Sequence, residues 1–531
     1  MSWDYVIIGS GFGGSVSALR LVEKGYKVLV LEKGRRLEAR DFPSSNWNLK
    51  RWLWLPQLGF RGLFKMTFLP NVTALSGVGV GGGSLVYANT LPIPKDEYFT
   101  ADSWGHLADW KAELMPHYQR AREMLGATEN PAWTHADRVL ADVAKEIGRE
   151  DHHHPTTVAV YFGEPGQTVP DPYHGGEGPD RTGCILCGGC MIGCKENAKN
   201  TLDKNYLYLA EKKGLTIQPD SEVVDLLPLE EGGYELVVKR GASLFGRKTQ
   251  RVRAPKVILA GGVLGTVNLL LKLKESSLPR LSDRLGHFVR TNSEVLMGVT
   301  TQDRDVNLSE GVAITSILHT DEHSHLEPVR YPHGSGAFRT LMSPHSPGGN
   351  PLSRLARGFL YALRHPWRTL RAYLVPDWAR YTMILLYMRT LDGHLRMKLG
   401  RHPFTLFRRG VTTEVGGGPR PTAAIPEASE LAYRIAKRMN GYPGSLITET
   451  LLGIPTTAHI LGGCVIGKDA SEGVIDAEHR VFGYDGMYVI DGSAISANPG
   501  VNPSLSICAL AERAMTFIPP KDEPTDPEAE G

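Results

Sequence analysis

Two stretches of the chain carry residue types whose spacing implies chemistry. Cys184-x2-Cys187-x2-Cys190-x3-Cys194 packs four of six cysteines into eleven residues. This spacing matches the ferredoxin run in which thiolates wrap an iron–sulfur cluster, and Gly188, Gly189 and Gly193 would let backbone fold round one. Two features depart from that run: Lys195 stands where proline is usual, and ferredoxins often send the last cysteine to another cluster. Structural zinc usually takes two separated ligand pairs. Iron–sulfur, zinc and reduced structural thiols therefore all stand as readings of Cys184, Cys187, Cys190 and Cys194. Cys464 and Cys508 lie in apolar surroundings and read as core thiols. The second stretch is Gly9-Ser-Gly11-Phe-Gly-Gly14, a GxGxxG turn followed eighteen residues later by Glu32. Its glycines permit a tight turn, close approach of a pyrophosphate, and helix-on-strand packing. A carboxylate at Glu32 is placed to accept hydrogen bonds from an adenosine ribose.

The elements that must position this turn are legible around it. Tyr5 to Ile8 is a short apolar run, predicting a buried parallel strand. Val16, Leu19 and Val22 recur at helical spacing up to Gly25, and Lys27 to Leu31 predicts a second strand that delivers Glu32. Lys256 to Thr266 repeats the pattern of strand, glycine turn and helix start, which would bring a second turn to the same edge. Between Gly77 and Asn89, five glycines in seven residues fit a loop that lines a ligand with backbone N–H groups. Ala101 to Leu125 predicts a helix from Trp104, Leu107, Trp110, Leu114 and Tyr118. Trp47 to Trp54 reads as a packed surface helix or lid. Glu222 to Leu226, Tyr234 to Lys239 and Arg251 to Arg253 predict strands, the last two in a small antiparallel sheet. The run Asp151-His-His-His-Pro155 reads as solvated.

Near the C-terminus, His459 precedes the turn Gly462-Gly463, Tyr488 to Asp491 is a strand ending in an acid, and Asn502 precedes Pro503, where backbone is held extended. His459 is one of 18 histidines, and alone would default to packing. An imidazole that is neutral near pH 7 can nevertheless accept a proton.

Composition restricts the alternatives. With 41% hydrophobic and 22% charged residues over 531 positions, the chain reads as ordinary globular protein of two or more domains. A net charge of +2 implies no nucleic-acid partner through bulk charge. The first strand begins almost at once and no apolar run is long enough to span a bilayer, so a cytoplasmic location is the expectation. Residues 351–410 hold twelve Lys/Arg against Asp377 and Asp392, with leucines and aromatics interleaved. Such a stretch either lies on an anionic membrane surface or forms a helix pair with a solvated basic face.

Taken in order, Gly9–Gly14 with Glu32, the Gly77–Asn89 loop, His459-Ile-Leu-Gly-Gly463 and Asp491-Gly492 to Asn502-Pro503 resemble the glucose–methanol–choline family of flavin oxidoreductases. Gly-Gly-Gly-Ser-Leu-Val-Tyr-Ala-Asn89, Ala-Lys-Asn-Thr-Leu202 and Gly-Val-Asn-Pro-Ser-Leu505 are similar to its bacterial cholesterol oxidase-like members. The resemblance implies an α/β fold: a Rossmann-type FAD-binding domain with a second α+β substrate domain on a mainly antiparallel sheet. It implies FAD, with Glu32 on the ribose, Gly81, Gly82, Gly83 and Ser84 at the pyrophosphate, Asn89 in the same loop, and Val223 on the adenine through its backbone. Asp491 and Gly492 would face the pyrophosphate and ribityl region. His459 and Asn502 would be the catalytic pair, Asn502 also meeting the flavin.

On that basis the expected organisation is residues 1–291 for FAD, with the cysteine cluster 184–194 inserted; 292–455 for substrate; 456–518 returning to the first domain; and 519–531 as a disordered tail. The expected activity is oxidation of a CH–OH group of a steroid or similar bulky apolar alcohol, with oxygen or another external electron acceptor. A sugar or polyol dehydrogenase with an iron–sulfur relay and a non-catalytic flavin electron-transfer protein are the competing readings. Cholesterol oxidases that also isomerise the steroid use a further carboxylate. Glu294 and Glu449 lie near the motifs, but nothing assigns them that role.

Overall fold

A computed structural model describes residues 3–241 and 246–522. Strands Tyr5–Ile8, Val28–Leu31, Thr216–Gln218, Lys256–Leu259 and Met487–Val489 form a parallel sheet, with Tyr5–Ile8 central and paired to both Val28–Leu31 and Lys256–Leu259. The first two strands are almost wholly buried, as a sheet covered on both faces requires. The helices Phe12–Glu23, Tyr206–Lys212 and Ser504–Thr516 pack together beside it, and the last also meets Trp110–Met124. The last strand and last helix therefore complete a layer that the first residues begin.

Tyr234–Arg240 and Lys248–Ala254 make the small antiparallel sheet expected, and Ser221–Pro228 joins it as a third strand, with a bulge between Val223 and Asp225. A seven-stranded sheet runs in the order Met342–Pro344, Gly441–Leu446, Val295–Thr301, Thr382–Arg389, Ser324–Val329, Ser316–His319 and His153–Pro155, every pairing antiparallel. Its helices His135–Glu146 and Pro426–Arg438 share a core with it built on Val139, Leu140, Leu385, Tyr387 and Ile435. The α/β class with a mainly antiparallel second sheet is thus the observed fold.

Three local expectations change. The helix expected from Ala101 starts at Trp110, where Asp109 accepts the Ala112 N–H at 3.1 Å; Trp104 precedes it, stacked on Trp110 at 4.4 Å between ring centroids. Trp104, Leu107 and Trp110 recur every three residues and all pack on the core, which gives a helical spacing before the helix begins. The histidine run is split: His152 ends a 3-10 turn, Glu150–His152, and His153–Pro155 is an edge strand, with His152 and His154 exposed while His153 turns inward, its Nε2 3.0 Å from the Ser316 hydroxyl. Pleating, which alternates the faces, explains why His153 is withdrawn from water while His154 is not. Of the expected tail, Tyr26 donates to the Pro519 carbonyl and Lys521 reaches Asp4 and the Lys24 carbonyl; residues 523–531 lie outside the described residues. Among the described residues no helix is long and apolar enough to cross a membrane.

Candidate active site

The first turn and its neighbours wall one end of a cavity of about 510 Å³. A Cβ on Gly9 would strike the Ala260 carbonyl, one on Gly13 the Ile490 carbonyl, and one on Gly14 the Gly9 carbonyl. Gly14 therefore packs helix on strand and does not line the cavity, whereas Gly9 and Gly11 do. Glu32 is buried there: Oε2 accepts from the Ser10 amide at 3.1 Å and hydroxyl at 2.8 Å, and Oε1 from the Gly34 amide at 2.8 Å. The Ser10 hydroxyl in turn accepts the Gly81 amide at 3.1 Å, tying the glycine loop to the first turn. Gly82, Gly83, Asn89 and Val223 line the cavity; Gly81 and Ser84 do not. Ser84 instead donates to the Gly81 carbonyl and accepts the Leu202 amide, holding the loop's shape.

The second glycine turn arrives at the same edge. Asp491 Oδ2 accepts the Gly262 amide at 2.8 Å and the Thr266 hydroxyl at 2.6 Å, while Oδ1 accepts the Ser493 amide at 2.8 Å. Asp491, Gly492, Gly261 and Gly262 all line the cavity. Backbone turns, a helix N-terminus and a buried carboxylate together fit an adenine dinucleotide. The Oδ1 atoms of Asn89 and Asn502, two residues of the cavity wall, are buried without a hydrogen-bond partner among the described residues.

His459 and Asn502 meet at the other end, both lining the cavity. His459 Nδ1 lies 2.6 Å from Glu294 Oε2, and Glu294 Oε1 accepts the Ala458 amide at 2.5 Å. Glu294 is one of the residues for which sequence offered only proximity. It does not line the cavity but fixes the imidazole from behind, so that Nδ1 carries the hydrogen toward Glu294 and Nε2 is the free base. Burial alone would lower the pKa of His459; the Glu294 carboxylate, with Glu327 further off, overrides it and holds the imidazole above its ordinary value.

Asn502 Nδ2 donates to Glu327 Oε2 at 3.3 Å. The turn before it is clamped by Asn292, whose Nδ2 donates to the Val501 carbonyl and whose Oδ1 accepts the Gly500 amide. Glu327 and Asn292 were not anticipated; a partner 175 residues away leaves no local sequence signal. Glu449 is fully buried, and burial pushes its carboxyl up to about 8. It too stays off the cavity wall. Beyond the pair, the seven-stranded sheet supplies an apolar wall including Leu296, Met297, Val329, Met342, Leu386 and Leu446.

Cys184, Cys187, Cys190 and Cys194 surround a second, small cavity, and all six cysteines are free. Burial pushes the Cys184 thiol up to about 12 and Cys187 to about 11. Among the described residues no three His, Cys, Asp or Glu are arranged to hold a metal ion. The zinc and iron–sulfur readings gain no support from this arrangement. Cys464 and Cys508 are core thiols with no exposed surface.

A family model described as GMC oxidoreductase matches residues 413–511, and one described as an NAD(P)-binding Rossmann-like domain matches 7–71. The chain is 46% identical to a cholesterol oxidase of Acinetobacter baumannii over 530 residues, covering 98% of this chain and 95% of the relative. It is 47% identical to a cholesterol oxidase of Mycobacterium tuberculosis, covering 98% and 92%. Among solved structures, pyridoxine 4-oxidase from Mesorbium loti superposes with a TM-score of 0.61 at 16% identity, over 97% of this chain and 99% of that one. An Aspergillus oryzae formate oxidase superposes at 0.62 and 14%, over 97% of both chains; these two share the fold. The chain belongs to the GMC oxidoreductase family and is an FAD-dependent alcohol oxidoreductase acting on CH–OH donors.

Proposed function

We propose that this enzyme oxidises a secondary hydroxyl of a steroid or similar bulky apolar alcohol, with His459 as general base and oxygen as the electron acceptor. The observation that carries this reading is the junction at His459. There, a polar, glycine-lined end meets an apolar wall that includes Leu296, Val329, Leu386 and Leu446. The name of the two relatives, cholesterol oxidase, agrees with such a substrate.

FAD, when bound, supplies the two-electron acceptor for the carbinol hydride. His459 takes the hydroxyl proton on Nε2, the ring nitrogen that Glu294 leaves free. Asn502 steadies the substrate oxygen with the Nδ2 hydrogen not given to Glu327. The apolar wall excludes water from the reacting carbon and offers few partners for the many hydroxyls of a sugar. That weighs against the sugar dehydrogenase reading, as the thiol arrangement weighs against an iron–sulfur relay.

Steady-state turnover on 3β-hydroxysteroids against sugars, with oxygen and with an artificial acceptor, tests the reading. Steroid turnover with oxygen uptake is expected. His459→Ala is expected to lower kcat by roughly 10²–10⁴-fold with flavin content unchanged. Comparable turnover of sugars would overturn the substrate class. Undiminished activity in His459→Ala or Asn502→Ala would overturn the assigned chemistry and favour a non-catalytic flavin carrier.

A further inference from the structure

The helix Pro351–Arg364 is built inside out. Its one buried residue is Arg354, whose guanidinium donates to the carbonyls of Thr450, Leu451 and Gly349. Its large apolar side chains face outward: Leu352 is 77% exposed, Phe359 65% and Leu363 61%. Leu352, Leu355, Phe359 and Leu363 fall at intervals of three, four and four, so they form one stripe on the helix. The following helix, Pro366–Leu374, continues it with Trp367 at 75% and Leu374 at 66% exposed. A soluble surface rarely leaves so many large apolar side chains contiguous and open to water.

Charge narrows what covers this surface. Residues 351–376 contain five arginines and no Asp or Glu. Arg354 and Arg357 are spent on backbone carbonyls and Ser346, anchoring the helix to the body. Arg364 is exposed, and among the described ion pairs no carboxylate meets it. An apolar stripe flanked by unpaired positive charge complements an anionic lipid interface, where hydrocarbon and phosphate lie side by side. Helices of 14 and 9 residues are too short to span the bilayer.

The position of the pair ties it to the active site. Pro351–Arg364 packs on Met342–Pro344 and on Thr448–Leu452, and Pro366–Leu374 packs on Ala337–Leu341. Phe338, Met342 and Leu446 from these elements or their neighbours line the apolar end of the cavity. We propose that the helical pair Pro351–Leu374 docks on the surface of an anionic phospholipid bilayer, setting the apolar end of the cavity against the lipid from which a bulky apolar alcohol is drawn. The docking rests on exposed residues alone; the reason for it rests on the substrate reading given above.

Vesicle flotation of the FAD-loaded enzyme, without substrate, tests the docking separately from the chemistry. The probes are phosphatidylcholine vesicles with and without phosphatidylglycerol. The wild-type enzyme is expected to float with the anionic vesicles and far less with the neutral ones. Phe359→Asp with Trp367→Asp should lower partition at least roughly tenfold, since each side chain gives up its burial in lipid. Turnover of detergent-solubilised substrate should be unchanged in this variant, while turnover of substrate held in vesicles falls. Arg364→Gln should weaken binding to anionic vesicles and leave the neutral ones unaffected. Failure of the wild-type enzyme to float overturns the proposal. So does a variant that floats normally but changes from dimer to monomer in gel filtration, which would make the stripe a contact between two copies. Flotation without steroid turnover would leave docking standing and overturn only the substrate.

Discussion

Glu294 acts on the reaction without touching the cavity. Its carboxylate holds the Nδ1 hydrogen of His459 and raises the imidazole's pKa against the effect of burial. The base is competent only when neutral, so activity should fall as pH drops through this raised pKa. In Glu294→Gln the amide can still hydrogen-bond to Nδ1, but the charge is gone. The acid limb of the kcat/KM profile should then move to lower pH while turnover on the plateau falls. A purely structural role would depress activity at every pH and leave the limb in place. Glu449 provides a contrast, because it acts on stability. Its carboxyl is raised to about 8 in the folded state, so folding favours the protonated form. That contribution is fully present below the unfolded value near 4.3 and is lost as pH rises toward 8. Thermal midpoints should therefore fall across that window, and Glu449→Gln should flatten the slope. His459 was legible from its glycine turn and family resemblance. Glu294, 165 positions away, was only a carboxylate near a motif, since nothing local reports which residues a fold brings together.

Among the elements, the strand–turn–helix at the N-terminus was the most legible because each residue type there answers to a local constraint. The glycines nevertheless differ in what they satisfy, which sequence did not separate. Gly13 and Gly14 are occluded by backbone carbonyls, whereas a Cβ on Gly11 would find no protein atom closer than 4.0 Å. Gly11→Ala should cost the FAD-free protein about 1 kcal/mol or less, the scale of an N-cap change. It should weaken FAD binding strongly, because Gly11 lines the cavity. Gly13→Ala should instead lower the thermal stability of the FAD-free protein itself. Thermal unfolding of stripped protein, paired with FAD titration, separates the two; equal behaviour of both variants would refute the distinction. Less legible was the segment after Ala101, where Trp104, Leu107 and Trp110 pack on the core at a helical spacing before the helix begins. The helices after Pro351 were legible as basic and amphipathic. Which face they bury was not, because an apolar stripe ordinarily points inward.

At the scale of the whole molecule, the chain leaves its first layer, builds the seven-stranded sheet, and returns to close the layer it began. The order of the motifs made that return legible; the residues that lock it are not motifs. Glu512, on the last helix and almost fully buried, accepts two hydrogen bonds from Arg20 on the first helix, at 2.7 and 2.8 Å. It also accepts the Tyr206 hydroxyl at 2.7 Å. One carboxylate thus joins three helices drawn from the start, middle and end of the chain. Removing a single partner of a buried ion pair typically costs about 3–5 kcal/mol, here toward the lower end because Arg20 keeps Glu23 at 2.7 Å. Glu512→Leu should lower the stability of the FAD-free protein by roughly that amount, read from denaturant or thermal unfolding. Arg20→Leu combined with Glu512→Leu removes both charges, so it should recover most of the loss. Neither residue lines the cavity; once reloaded with FAD below its unfolding temperature, the double variant should turn over substrate like the wild type. If the double variant is instead as unstable as the sum of the two single changes, the pair does not couple. The closure would then rest on apolar packing of Val16, Leu19, Leu505 and Ala509 and on the Tyr118–Ser506 and Glu113–Arg513 contacts of the last helix.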